Sequence, residues 1–113
     1  MKKLLIVGND ICVIQALESI CNGFGFRREN IVSCSHEEAL EALERVHPSH
    51  LIILEYEEGR HNEGADTWYS FLENNLIALD QVVVLYGFKK YDIPNYLTLP
   101  IEPLELKRVL VGP

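Results

Sequence analysis

Leu4-Leu5-Ile6-Val7 is an unbroken apolar run that stops at Gly8-Asn9-Asp10. A strand with one wet face alternates apolar and polar residues. A run without alternation fits a strand buried on both faces, in a parallel sheet covered by helices on either side. Leu51-Ile52-Ile53-Leu54 repeats the pattern. The opening Met1-Lys2-Lys3 gives the first run the look of a signal peptide. Four apolar residues are too few for its hydrophobic region, and no small-residue cleavage site follows. The run is therefore read as a first strand.

Between these strands the periodicity changes. Asp10 can cap a helix running to about Asn22, with Val13, Ile14, Leu17 and Ile20-Cys21 at helical spacing and Gly23 and Gly25 to stop it. Ile31 to Cys34 is a short second strand. Ser35 followed by Glu38 forms a capping box ahead of a second helix that repeats Ala39, Leu40, Leu43 and Val46 and halts before Pro48. Glu55 to Asp66 reads as a polar loop, and Thr67 to Asn74 as a helix carrying Trp68, Phe71 and Leu72. Gln81 to Tyr86 and Tyr96 to Thr98 are the fourth and fifth strands. Glu102 to Val111 closes as a helix, with Leu104, Leu106 or Lys107, and Leu110 sharing faces and Pro103 in its first turn.

Strands alternating with helices imply an α/β fold, a doubly wound parallel sheet. At 113 residues the chain is expected to be one domain spanning 1–113. Ligands of such sheets sit at the carboxyl ends of the strands. Those ends are Gly8-Asn9-Asp10, Glu55-Tyr56-Glu57, Tyr86-Gly87 and Leu99-Pro100.

Composition narrows the partners. A net charge of −7 opposes binding to nucleic acid or an anionic membrane. No apolar run approaches the roughly 20 residues of a membrane span. Cys12, Cys21 and Cys34 include no CxxC pair and leave an odd count, so reduced thiols packed as small hydrophobes, in the cytoplasm, are expected. Gly8-Asn9-Asp10-Ile11-Cys12-Val13 is not GxGxxG, which disfavours a dinucleotide site. His36, His47 and His50 lack metal-ligand spacing and are expected at helix ends or the surface. No cofactor and no metal is assigned. Asp10, Glu55 and Glu57 are the carboxylates a divalent ion would use if one bound.

The order and spacing of the strand ends resemble receiver domains of bacterial two-component systems. Leu4 to Asp10 is similar to that family's first strand and acidic turn. Leu51-Ile52-Ile53-Leu54-Glu55 is similar to the strand ending in its phosphorylated aspartate. Val82 to Gly87 is similar to its fourth strand. Tyr96 to Pro103 is similar to the stretch that normally carries Lys-Pro. The resemblance implies a flavodoxin-like or CheY-like five-stranded sheet in the order 2-1-3-4-5.

It also shows what is missing. The family's Mg²⁺-holding acidic pair falls on Gly8 and Asn9, its phosphoacceptor on Glu55, its hydroxyl on Tyr86 and its lysine on Leu99. Phosphoryl transfer depends on positioning and charge neutralisation. Mg²⁺ needs several hard oxygens, and leucine supplies no charge to a phosphoryl oxygen. The expected function is a receiver-like signalling module that is not phosphorylated, is not an enzyme, and acts through another signalling protein or through self-association. The alternative is an atypical receiver still regulated by Mg²⁺, phosphate or a small ligand around Asp10, Glu55 and Glu57. Glu55 itself can be a fixed mimic of the phosphorylated state or a polar strand end facing solvent.

A further departure lies between strands four and five, where the family has a helix. Gly87 to Asn95 is nine residues. As a helix they reach about 13 Å, and extended about 30 Å. Returning along a whole strand takes about 17 to 20 Å. The helix is therefore expected to be missing or reduced to one turn. Phe88, Tyr91, Ile93 and Tyr96 then form either an interaction surface or a folded-back cover.

Overall fold

The computed structural model describes residues 2–54, 82–87, 96–98 and 100–112. Its strands are β1 (Leu4–Val7), β2 (Ile31–Cys34), β3 (His50–Leu54), β4 (Val82–Gly87) and β5 (Tyr96–Thr98). Its helices are α1 (Ile11–Gly23), α2 (Ala39–Val46) and α3 (Pro103–Leu110), with a 3₁₀ turn at Arg28–Asn30. All strand pairings are parallel, and the sheet order is β2-β1-β3-β4-β5. The expected α/β class, with β1 between β2 and β3, is the one observed. The expected helix at 67–74 and the segment between β4 and β5 lie outside the described residues.

The unbroken apolar runs divide by parity. Leu4, Ile6, Ile52 and Leu54 face a core made with Ile14, Leu17 and Cys21 of α1, Leu106 and Leu110 of α3, and Phe26. Leu5, Val7, Leu51 and Ile53 face the other way, onto Ala39, Ala42 and Leu43 of α2. Each of the four residues of β1 is fully buried. This is why the sequence shows no polar residue there: neither face of the strand meets water.

The helix ends follow local chemistry. Asp10 caps α1, with Oδ1 accepting from the amides of Cys12 at 3.0 Å and Val13 at 3.3 Å. At the other end Gly25 adopts φ +107°. The Phe26 amide donates to the Cys21 carbonyl and the Gly25 amide to the Asn22 carbonyl, at 3.2 and 3.1 Å. This is a Schellman turn, and it needs a residue without Cβ at Gly25. Ser35 and Glu38 make the reciprocal bonds of a capping box, Glu38 N–H to Ser35 Oγ at 3.3 Å and Ser35 N–H to Glu38 Oε1 at 3.4 Å. The regular helix nevertheless begins only at Ala39. α2 ends on His47 in the left-handed region, φ 50°, just before Pro48.

Three burial expectations need correction. Leu40 and Leu104 are exposed, and α3 buries Leu106 and Leu110 instead. Leu104 lies about 200° around the helix from Leu106, so the two cannot share a face. Cys12 is exposed rather than packed, whereas Cys21 is buried and Cys34 half-buried.

His50 is the third correction. It is buried at the start of β3, not at the surface. Its ring meets Phe26 edge-on with centroids 5.4 Å apart, and Nδ1 lies 2.9 Å from Ser49 Oγ. Burial lowers its pKa below the usual histidine value, and the Lys2 charge adds to this. A hydrogen bond to the Leu110 carbonyl opposes both. A folded pKa below the unfolded one means the unfolded chain takes the proton first as pH falls. The stability that neutral His50 supplies is therefore complete above about pH 6.5 and is lost below it. Urea midpoints measured from pH 7.5 to 5 should decline more steeply for wild type than for His50→Leu. Parallel declines would mean that His50 does not titrate differently on unfolding.

Candidate functional site at the carboxyl ends of the strands

Parallel pairing aligns the ends of the strands. Val7 pairs with Ile53, Ile53 with Leu85, and Leu85 with Tyr96. One step further, Leu54 pairs with Tyr86 and Tyr86 with Leu97. The register therefore brings Gly8-Asn9-Asp10, the end of β3 at Leu54, and Tyr86-Gly87 to one edge of the sheet.

Gly8 is buried, and its amide donates to the Cys34 carbonyl at 3.0 Å, extending the β1–β2 ladder by one bond. Asn9 and Asp10 are half-buried. Asp10 is the acidic residue the sequence offers nearest the family's metal-binding pair, yet its Oδ1 already serves two amides of α1. A carboxylate at a helix amino terminus is well placed for those dipoles. Another carboxylate would be needed to make a cation site with it. Among the described residues, no group of three His, Cys, Asp or Glu side chains could hold a metal ion.

Glu55, Glu57 and Leu99 lie outside the described residues, as do Phe88, Tyr91 and Ile93. For Tyr86 and Tyr96 only the backbone is described. Cys34 and Cys21 offer no reactive alternative. Burial pushes Cys34 at the end of β2 up to about 11; the Glu38 carboxylate adds to the rise and Arg45 opposes it. Burial alone pushes Cys21 up to about 12. Both remain neutral thiols near pH 7, poor as nucleophiles and as metal ligands.

Near this edge the sequence reading left out one exposed side chain and misplaced another. Ile11 at the head of α1 is 67% exposed, and Leu104 at the head of α3 is 79% exposed. Both helices pack on the same face of the sheet. For Leu104 a signal was present: the Leu106–Leu110 spacing of four fixes the buried stripe and leaves Leu104 off it.

No protein-family model matches the chain, and no curated protein sequence does either. Solved structures do. The chemotaxis protein CheY4 of Vibrio cholerae is 14% identical at a TM-score of 0.75, over 97% of this chain and 96% of that one. The pseudo-receiver domain of the CikA protein is 14% identical at a TM-score of 0.69, over 99% and 96%. The anti-anti-sigma factor PhyR of Bartonella quintana is 14% identical at a TM-score of 0.72, over 95% of this chain, which spans only 44% of that larger chain. With the order of its central strands, helices on both faces, and matches that take in at least 95% of its own length, the chain has the CheY-like receiver fold.

Proposed function

We propose that this chain is a receiver-fold signalling module that works by binding another protein and carries no aspartyl phosphate. The observation that carries this reading is the first strand end. Gly8 and Asn9 stand where the fold's acidic pair would be, and the one acidic residue beside them, Asp10, has Oδ1 engaged as the cap of α1. Glu55, Tyr86 and Leu99 at the other strand ends extend the same loss. Similar structures include a protein described as a pseudo-receiver and one described as an anti-anti-sigma factor, which supports a signalling role. We read residues 1–113 as one domain that is cytoplasmic, needs no cofactor and does not bind nucleic acid. Among the described residues, no helix is long and apolar enough to cross a membrane.

Acetyl phosphate with Mg²⁺ should leave the intact mass unchanged. A gain of one phosphoryl group mapping to Glu55 or Asp10 would overturn the proposal. Saturable shifts around Asp10 with Mg²⁺ and beryllofluoride would instead favour the ligand-regulated alternative.

The proposed binding surface is the β4–β5 region with Phe88, Tyr91, Ile93 and Tyr96. Among the described residues, β5 pairs with the last half of β4, Leu85 opposite Tyr96. The chain therefore has to return by two residues, about 7 Å, rather than a whole strand. A nine-residue helix would reach about 13 Å, so this register sets no bound on the crossover, and the reading rests on the shortness of the nine-residue link. Sedimentation of wild type against Phe88→Ser/Tyr91→Ser tests it: self-association or partner binding should fall in the variant. A monomeric wild type whose partner binding survives both changes would place the surface elsewhere.

A further inference from the structure

We propose that the cleft at the amino-terminal end of the sheet binds a small phosphorylated aromatic ligand of the mononucleotide kind. It lies at the opposite end from the receiver pocket and has a volume of about 490 Å³. That is within the range of small-ligand sites, roughly 300 to 1,000 Å³. Three segments distant in sequence form it: Lys2 before β1, Phe24 to Asn30 after α1, and Val111 after α3.

The Schellman turn at Gly25 sets the shape. It sends Phe26 into the core, where the ring is 5% exposed and meets His50, and it leaves Phe24 half-buried. Nothing lies within 4 Å of where a Cβ on Gly25 would be, so bare backbone borders the cleft. The lining combines apolar Phe24, Phe26 and Val111 with polar Lys2, Arg27 and Asn30. An apolar lining with a few polar groups is the usual composition of a ligand pocket.

Charge selects the ligand. Of the chain's ten Lys and Arg residues, Lys2, Lys3, Arg27, Arg28, Lys107 and Arg108 belong to the segments that border this end. Arg27 is paired only loosely, to Glu29 at 3.9 Å with both side chains mostly exposed. Such a pair contributes little and is easily exchanged. A nucleic acid or an acidic protein segment would also meet the net charge of −7 carried by the whole molecule. A small dianion feels mainly charges within about 8 Å at physiological salt; the charged side chains that line the cleft are Lys2 and Arg27, opposed by the Glu29 carboxylate beside Arg27. Phosphate fits those two cations. A flat ring fits Phe24 by stacking. The Asn30 amide can both donate to a base edge and accept from it.

Isothermal calorimetry and amide NMR on the full chain test the proposal, with AMP and GMP as probes and adenosine and inorganic phosphate as separate arms. Saturable shifts are expected at Lys2, Phe24 to Asn30 and Val111. The His50 ring should move toward protonation as the bound dianion offsets Lys2. A mononucleotide should bind at least about tenfold more tightly than either of its parts, and Arg27→Glu should weaken it by about tenfold or more. Arg27 is exposed, so circular dichroism should show that variant still folded. The proposal is overturned if no probe saturates at millimolar concentration, or if phosphate alone binds as well as AMP. It is also overturned if folded Arg27→Glu binds like wild type, or if an acidic peptide binds this cleft where nucleotides do not. None of these outcomes bears on phosphodonor reactivity, so the two proposals fail separately.

Discussion

Glu55→Asp alone is expected to leave the protein inert to acetyl phosphate, and Gly8→Asp, Asn9→Asp, Glu55→Asp and Leu99→Lys together are expected to restore phosphoryl transfer. The reason is that the reaction supplies little covalent work for the protein. Its barrier is lowered by a metal and a cation placed where charge develops. A single well-aimed donor can be worth about 10² to 10³ in rate. Shortening Glu55 supplies the nucleophile and none of these groups. Restoring the acidic pair supplies the hard oxygens Mg²⁺ requires. Those two positions follow β1 directly, where the register brings them beside the end of β3. Leu99→Lys then adds the missing positive charge. Gly8 is buried, and its amide holds the β1–β2 ladder, so thermal midpoints must show that the fourfold variant still folds. Mass spectrometry gives the outcome. Ready phosphorylation of Glu55→Asp alone would mean that residues already present hold a competent metal. A folded fourfold variant that stays inert would mean that these strand ends are not arranged as a receiver pocket.

What was legible in the sequence was what a short window determines. β1 and β3 were visible because burial on both faces forbids polar residues in the run. The same uniformity hid which of Leu4 and Leu5 faces α1 and which faces α2, since only alternation encodes a face. α1 was bounded by Asp10 and Gly25 because a cap and a left-handed turn each demand particular residue types. Asp10 could be read as a cap or as a metal candidate, and only the folded geometry assigns its Oδ1 to the amides of Cys12 and Val13. His50 could not be placed, because Phe26 and Leu110, which bury it, are far away along the chain. The basic cleft was invisible for the same reason: Lys2, Arg27 and Val111 form no local motif. α3 was misphased at its first turn because Leu104 and Leu106 are equally apolar, and the stripe is fixed only by Leu110 one turn later.

That misphasing gives a sharp stability contrast within one helix. Leu106→Ala should cost about 2 to 5 kcal/mol, a large part of the roughly 5 to 15 kcal/mol that holds a typical domain together. Leu106 is fully buried between α3 and the sheet, in the core that also holds Leu17, Ile52 and Leu110. Truncating it removes apolar contacts and leaves a void that helix and sheet can close only in part. At about 4 to 8 °C per kcal/mol for a domain near this size, the variant should melt well below wild type. Leu104→Ala, two residues away on the same helix, should stay within about 0.5 kcal/mol, because its side chain is already in solvent. Calorimetric or urea unfolding of the pair decides the matter. Equal losses, or a larger loss from Leu104→Ala, would mean that α3 packs with a different face inward. If Leu104→Ala keeps wild-type stability but weakens binding to a partner, the exposed head of α3 is a contact surface, and the cost of leaving a leucine in water is offset by the partner that covers it.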